Sequence, residues 1–198
     1  EAMYYLTKLV RSWVDVPIAV HCHNDFGLAT ACTIACLKAG ADSAHVTVNG
    51  LGEKTGNADI AELVIALHGL YGVETNIKLH ELPGLSKLVE KITKIPVSPM
   101  RPVVGDMVFV RESGLVVAQL LKYPPSVEGY APEIVGRERK IVLGKKSGKA
   151  SIEYALEQAG LKVAPDKIDE LVEKVKTLGA KKKGLVTQEE FIDMVKNM

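Results

Sequence analysis

Two histidines separated by one residue give this sequence its clearest chemical signal. His21 and His23 follow a short apolar run, residues 16–20, of the kind that forms a strand buried in a parallel sheet. Side chains two apart on a strand share a face, so the imidazoles are predicted to lie side by side while Cys22 faces the other way. Imidazole is a good ligand for divalent metals, and a carboxylate is expected to complete the site. The alternative is two buried histidines satisfied by backbone groups.

A second polar cluster, residues 49–57, reads NGLGEKTGN and connects a predicted strand, 44–48, to a predicted helix, 58–70. Its glycines permit close backbone approach to a ligand, and the first amides of the helix favour an anion. It is not a dinucleotide fingerprint, because Thr55 stands where glycine is required, and it is not a P-loop, because Asn57 replaces the lysine. The alternative is a turn that only connects the strand to the helix.

The elements around these clusters repeat in the order strand, helix, strand, helix. Small and apolar residues recur at helical spacing over residues 27–39, between the two predicted strands, and again over 58–70. This order predicts parallel strands joined by right-handed crossovers, with both polar clusters at the carboxyl ends where such folds build their sites. Two strands cannot close a (β/α)₈ barrel, which requires eight. The sequence therefore predicts that most of a barrel is missing or comes from another chain.

The rest of the chain changes in character. Residues 1–96 are expected to form the barrel fragment, and residues 97–144, rich in proline and glycine, a linker subdomain with short helices. Residues 145–198 are expected to form a helical subdomain, in which Thr187 and Glu190 make a capping box. The fold class is therefore α/β followed by a small α-helical part.

Composition narrows the possible functions. The net charge is +1 and the one basic run, Lys181 to Lys183, lies between two helical patterns, which argues against nucleic-acid binding. No stretch reaches about 18 apolar residues, so no membrane span is expected. The three cysteines (Cys22, Cys32 and Cys36) are an odd number for a disulfide framework and indicate a reducing compartment. We expect a cytoplasmic protein.

Taken together, four segments resemble the signatures of the isopropylmalate, homocitrate and citramalate synthases, relatives of the hydroxymethylglutaryl-CoA lyases. The segments are residues 21–27 (HCHNDFG), 49–57, 101–106 (RPVVGD) and 135–144 (VGRERKIVLG). The resemblance implies a TIM barrel in which this chain supplies the last two βα units, with the two-histidine strand seventh and the glycine loop after the eighth.

The resemblance also implies a reaction, in which a divalent metal (Zn, Mn or Mg) holds a 2-oxo acid while the methyl group of acetyl-CoA attacks it. By position, His21, His23 and Asn57 would bind the metal. The implied substrate-binding residues are Asn49, Gly52, Glu53, Thr55 and Gly56. The family's aspartate ligand and the arginine after it belong to the first barrel strand and have no counterpart here, so no catalytic residue is assigned in this chain.

Two positions depart from the family. A histidine that reaches the partner subunit's site in a homodimer is replaced by Val116, and a tyrosine by Val127. Valine cannot act as an acid or base, which leaves the acetyl-CoA chemistry open. The first hypothesis is therefore an acyltransferase of the synthase group. The alternatives are a lyase or carboxyltransferase acting on a 2-oxo acid, or a non-catalytic subunit or fragment that pairs with an N-terminal barrel half.

Overall fold

A computed structural model describes all 198 residues, and the chain forms two compact units. The first contains residues 1–108 together with 133–136, and the second contains residues 109–132 and 137–198. The three-part division at residues 96 and 144 stays a prediction. None of the helices is both long and apolar enough to cross a membrane.

The first unit contains four helices and two short strands. In chain order they are α1 (Ala2–Arg11), β1 (Ala19–His21), α2 (Ala29–Lys38), β2 (Ser43–His45), α3 (Ile60–Tyr71) and α4 (Leu82–Thr93). Strand and helix alternate from β1 to α3, as the apolar periodicity predicts.

β1 and β2 pair in parallel, with Ala19 opposite Ser43 and His21 opposite His45. This confirms the predicted pairing of the two strands across an intervening helix. β2 ends earlier than the predicted 44–48, because Val48–Gly50 forms a 3-10 turn in which Asn49 has φ of 59°. A residue in the left-handed region cannot continue an extended strand.

The crossover helix α2 covers one face of the strands. Its buried residues include Ala29 and Cys36, whose small side chains permit close packing against the strand backbone. Arg11, at the end of α1, holds the far ends of the strands: it donates to the carbonyl oxygens of Val16 and Gly40 and pairs with Asp42. The helices therefore cover one face of the strands and fix their N-terminal ends.

The second unit is mainly helical. Its elements are β3 (Val110–Arg111), α5 (Gly114–Lys122), β4 (Lys140–Ile141), α6 (Lys149–Ala159), α7 (Ile168–Lys182) and α8 (Gln188–Lys196). β3 and β4 form a parallel pair of two residues each, which the sequence did not reveal because such a pair is too short to show alternation.

The three C-terminal helices enclose one apolar core. Ile152 of α6, Leu171 and Val175 of α7 and Phe191 of α8 are its most buried members. The capping box is confirmed at the start of α8: the Thr187 hydroxyl accepts from the Glu190 amide, and the Glu190 carboxylate accepts from the Thr187 amide.

Candidate metal centre

The two imidazoles lie side by side at the end of β1. The ring centroids of His21 and His23 are 5.0 Å apart with an angle of 71° between the ring planes. His21 is exposed and His23 is partly buried, while Cys22 between them is buried against Ala29 and Ala58. The two-residue periodicity therefore places both imidazoles on the face opposite the helices. Burial raises the pKa of the Cys22 thiol, which favours the inert thiol form of this packing residue.

A third imidazole lies on the same face. His45 ends β2 directly opposite His21, and the two ring centroids are 5.8 Å apart. Thr47, two residues further on, has a buried hydroxyl without a hydrogen-bond partner. Sequence reasoning missed both residues. The alternation through 43, 45 and 47 could have found them once the two strands were known to be neighbours in register.

The glycine loop brings Asn57 beside His23. The two residues form an isolated antiparallel bridge, and the Asn57 amide donates to the carbonyl oxygen of Gly50 at 3.0 Å. The Asn57 side chain is buried, and its Nδ2 donates to the Leu51 carbonyl oxygen at 3.2 Å. Its Oδ1 is buried without a hydrogen-bond partner, and so is Nδ1 of His23.

Two glycines make this arrangement of Asn57 possible. A Cβ at Gly52 would collide with the Asn57 carboxamide, and one at Gly56 would collide with the Gly50 carbonyl oxygen. Gly56 also has φ of 87°, a backbone conformation that side chains disfavour. The spacing of the glycines in this loop therefore follows from the packing of the loop on itself.

The other predicted pocket residues are placed differently. The Asn49 side chain is held by Ser86 of α4: its Nδ2 donates to the Ser86 carbonyl oxygen at 3.0 Å, and its Oδ1 accepts from the Ser86 hydroxyl at 2.6 Å. Glu53 and Thr55 are exposed, and the Glu53 carbonyl oxygen accepts from the Gly56 amide at 2.9 Å. Substrate contact by these residues stays a prediction.

An ion pair joins the two sequence motifs. Lys54 of the glycine loop donates to Asp25 at 2.9 Å, and this hydrogen bond lowers the pKa of the Asp25 carboxyl group. The neighbouring Asn24 accepts from the Ala29 amide at 3.0 Å, at the start of α2. Asp25 is therefore hydrogen-bonded to a lysine rather than to the histidines.

The residues present fit part of a divalent-metal site. Imidazole nitrogens and an amide oxygen are acceptable donors, and the unpaired Nδ1 of His23 and Oδ1 of Asn57 are the kind of buried polar atoms that a cation would satisfy. No three histidine, cysteine, aspartate or glutamate side chains come close enough to hold a metal ion. A further donor from outside this set of residues is needed to complete a site.

Comparison with known proteins identifies the family to which this sequence is similar. Residues 1–89 match the family model described as HMGL-like, and residues 103–183 match the model described as homocitrate synthase post-HMGL domain-like. A putative (R)-citramalate synthase of Archaeoglobus fulgidus is 47% identical over 183 residues, covering 92% of this chain and 37% of that protein. A 2-isopropylmalate synthase of Methanocaldococcus jannaschii is 46% identical over 187 residues, covering 92% and 36%.

The fold and the site define a class of α/β protein in which parallel βα units carry imidazole and amide donors at the ends of their strands. The chain belongs to the isopropylmalate, homocitrate and citramalate synthase family. The HMGL-like match implies a TIM-barrel family. The chain spans little more than a third of the length of the curated relatives it matches, 37% and 36% in the two cases given.

Proposed function

We propose that this chain provides the metal-binding end of an acyltransferase that condenses acetyl-CoA with a 2-oxo acid. The observation that carries the proposal is the meeting of His21, His23 and Asn57 at the carboxyl ends of two paired strands. Relatives named citramalate synthase and isopropylmalate synthase support the reaction class. The two imidazoles suit Zn, and the amide oxygen together with a carboxylate from another strand would suit Mn or Mg.

The barrel itself is part of the proposal. β1 and β2 pair only with each other, and their lumen-side residues Ala19, His21, Ser43 and His45 are exposed. We infer that they are the last two strands of a barrel whose other six come from a further polypeptide segment. A carboxylate on one of those strands would complete the metal site, because no three histidine, cysteine, aspartate or glutamate side chains of this chain are close enough to hold a metal ion.

The chemistry follows from these positions. A bound divalent cation would polarise the keto group of the 2-oxo acid and so favour attack at its carbon. His21 and His23 would hold the cation from β1, and Asn57 would approach it from the glycine loop. Glu53, Thr55 and Gly56, at the turn of the same loop, would line the substrate pocket, and Gly52 would keep the space that the Asn57 carboxamide occupies.

A second candidate is a lyase or carboxyltransferase that acts on a 2-oxo acid without acetyl-CoA. Val116 and Val127 favour it, because a hydrocarbon side chain cannot transfer a proton during the condensation. The first candidate includes assembly as a homodimer, in which the linker of the partner chain would approach the site.

Metal titration of a polypeptide with the complete barrel tests the shared part of both candidates. We expect His21→Ala and His23→Ala each to weaken Mn²⁺ or Zn²⁺ binding by at least about 100-fold by calorimetry, because each removes a direct ligand. His80→Ala is the matched control, since His80 is an exposed histidine outside the site. Unchanged metal affinity in the first two variants would refute the assignment.

A thiol-release assay separates the candidates. The same polypeptide is supplied with acetyl-CoA and a panel of 2-oxo acids, and free CoA is measured. Release that depends on one 2-oxo acid supports the synthase. Turnover of a 2-oxo acid without any CoA release supports the lyase or carboxyltransferase.

A further inference from the structure

A partly buried ion pair lies two residues beyond Asn57. Arg101 Nη2 donates to Oδ2 of Asp59 at 2.8 Å, and Asp59 is only 1% exposed. The same nitrogen lies 3.3 Å from Oε1 of Glu62, whose other oxygen accepts from the Thr30 hydroxyl of α2 at 2.9 Å. One guanidinium group therefore joins the start of α3 and, through Glu62, α2.

The guanidinium group also lies against the glycine loop. A Cβ at Gly50 would collide with Arg101 Nη2 and would lie 3.3 Å from the Asn57 carbonyl oxygen. The carbonyl oxygen of Gly50 accepts from the Asn57 amide. Arg101 is thus one contact away from Asn57, through a glycine that leaves room for it.

The backbone around Arg101 is fixed in turn. Its amide donates to the Ser98 carbonyl oxygen, and its own carbonyl oxygen accepts from Gly105. Between them the Val104 amide donates to the Pro102 carbonyl oxygen across Val103, which has φ of 68°. This is a γ-turn of the rare, strained kind, and a β-branched residue there has to be held in place by its surroundings.

We propose that Arg101 is a positioning residue for the metal centre, which holds Gly50 and thereby keeps the Asn57 carboxamide directed at the face that carries His23. The inference rests on the proposed function, because it assumes that a cation binds there. Residues that orient metal ligands act through the ligand rather than on the reacting atoms.

The positioning role is separable from the capping of α3. Oδ1 of Asp59 accepts from the amides of Ala61 and Glu62, whereas Oδ2 accepts from the Arg101 guanidinium group. Asparagine at position 59 would keep a capping oxygen and remove the charge. The double variant Asp59→Asn with Arg101→Gln therefore retains the cap and leaves no buried carboxylate unpaired.

The test compares metal binding in a polypeptide with the complete barrel. We expect the folded double variant to bind Mn²⁺ about tenfold more weakly by calorimetry, the scale seen when a group orienting a metal ligand is lost. The absorption spectrum of bound Co²⁺ should also change, because the amide oxygen leaves or shifts. Lysine at position 101 could still pair with Asp59, but it has no planar guanidinium group beside Gly50. Arg101→Lys should therefore lower Mn²⁺ affinity less than the double variant does.

Lys87→Met is the matched control. Lys87 of α4 makes an exposed ion pair with Asp106, which lies on the same loop as Arg101, so the loss of Lys87 should leave Mn²⁺ affinity unchanged. Wild-type affinity and spectrum in the folded double variant would overturn the positioning role. Should that variant not fold, Arg101→Lys decides, and equal affinity at an unchanged Tm overturns the role. Absence of metal binding by the wild type would instead refute the proposed function itself.

Discussion

At the scale of single residues, the candidate site depends on the absence of side chains as much as on their presence. Gly52 and Gly56 leave the space into which Asn57 and the Gly50 carbonyl oxygen fit. The sequence predicted that His21 and His23 share a face, because residues two apart on a strand point to the same side of the sheet. It did not predict Arg101 beside Gly50, because that contact joins two loops far apart in the chain and follows no local period.

Gly52→Ala tests this steric requirement. The new methyl group would displace the Asn57 carboxamide, so we expect metal affinity to fall by about tenfold, as for other losses of ligand orientation. Gly69→Ala is the control, because Gly69 lies in α3 with open space around its α-carbon. That change should stabilise the fold by about 0.5 to 1 kcal/mol and leave the metal site alone. Calorimetric titration and thermal unfolding measure the two effects, and equal metal affinity in both variants would contradict the steric argument.

At the scale of elements, the prediction from sequence was better for helices than for strands. The apolar face of α7 and the capping box of α8 depend on local spacing, and both are present in the structure. β2 is shorter than expected, because Asn49 turns the backbone soon after Thr47. β3 and β4 depend on pairing between residues about 30 apart in the chain, which local patterns do not contain.

The capping box of α8 should contribute measurably to stability. Thr187→Ala removes the oxygen that accepts from the Glu190 amide, and we expect the free energy of unfolding to fall by about 1 kcal/mol. Urea denaturation measures this change. Thr177→Ala, at an exposed position inside α7, is the control and should be neutral or slightly stabilising. A loss at Thr177 as large as that at Thr187 would show that the cap is not the cause.

Glu170 of α7 should make stability depend on acid pH. Hydrogen bonds from Lys167 and then Lys174 lower the pKa of Glu170 from 4.5 to about 2. Because the folded pKa is the lower one, this contribution is present above pH 4.5 and is lost as the pH falls towards 2. Glu170→Gln should therefore lower Tm at pH 6, and the two Tm values should converge near pH 2.

The control for this pH dependence is Glu157→Gln, which changes an exposed carboxylate of α6 that makes no ion pair. Its Tm should follow that of the wild type across the pH range. A difference in Tm between the wild type and Glu170→Gln that stays constant from pH 6 to pH 2 would contradict the role of the ion pairs.

At the scale of the whole molecule, we propose that the two paired strands carry one face of a site that further strands would complete. The sequence predicted two neighbouring strands here, and β1 and β2 form a two-stranded parallel sheet. That these strands belong to a larger barrel stays a proposal. Large apolar side chains also remain exposed in the first unit, among them Phe26 at 91% and Trp13 at 68%. Unpaired strand edges and exposed apolar surface favour association.

We expect the 198-residue polypeptide to self-associate. Sedimentation velocity over a range of concentrations should show species larger than a monomer, because each strand has one open edge. Adding a polypeptide that supplies the other six strands should replace these species with one defined complex. A monomer at every concentration, with or without the added polypeptide, would contradict the proposed barrel.

The imidazole face has a practical consequence. His21 and His45 end two adjacent strands and His23 follows the first of them; His21 and His45 are exposed. Closely spaced surface histidines are the ligands that an immobilised nickel resin captures. The untagged polypeptide should therefore bind to such a column and elute when free imidazole is added. Its retention would measure directly how well the strand ends chelate a metal.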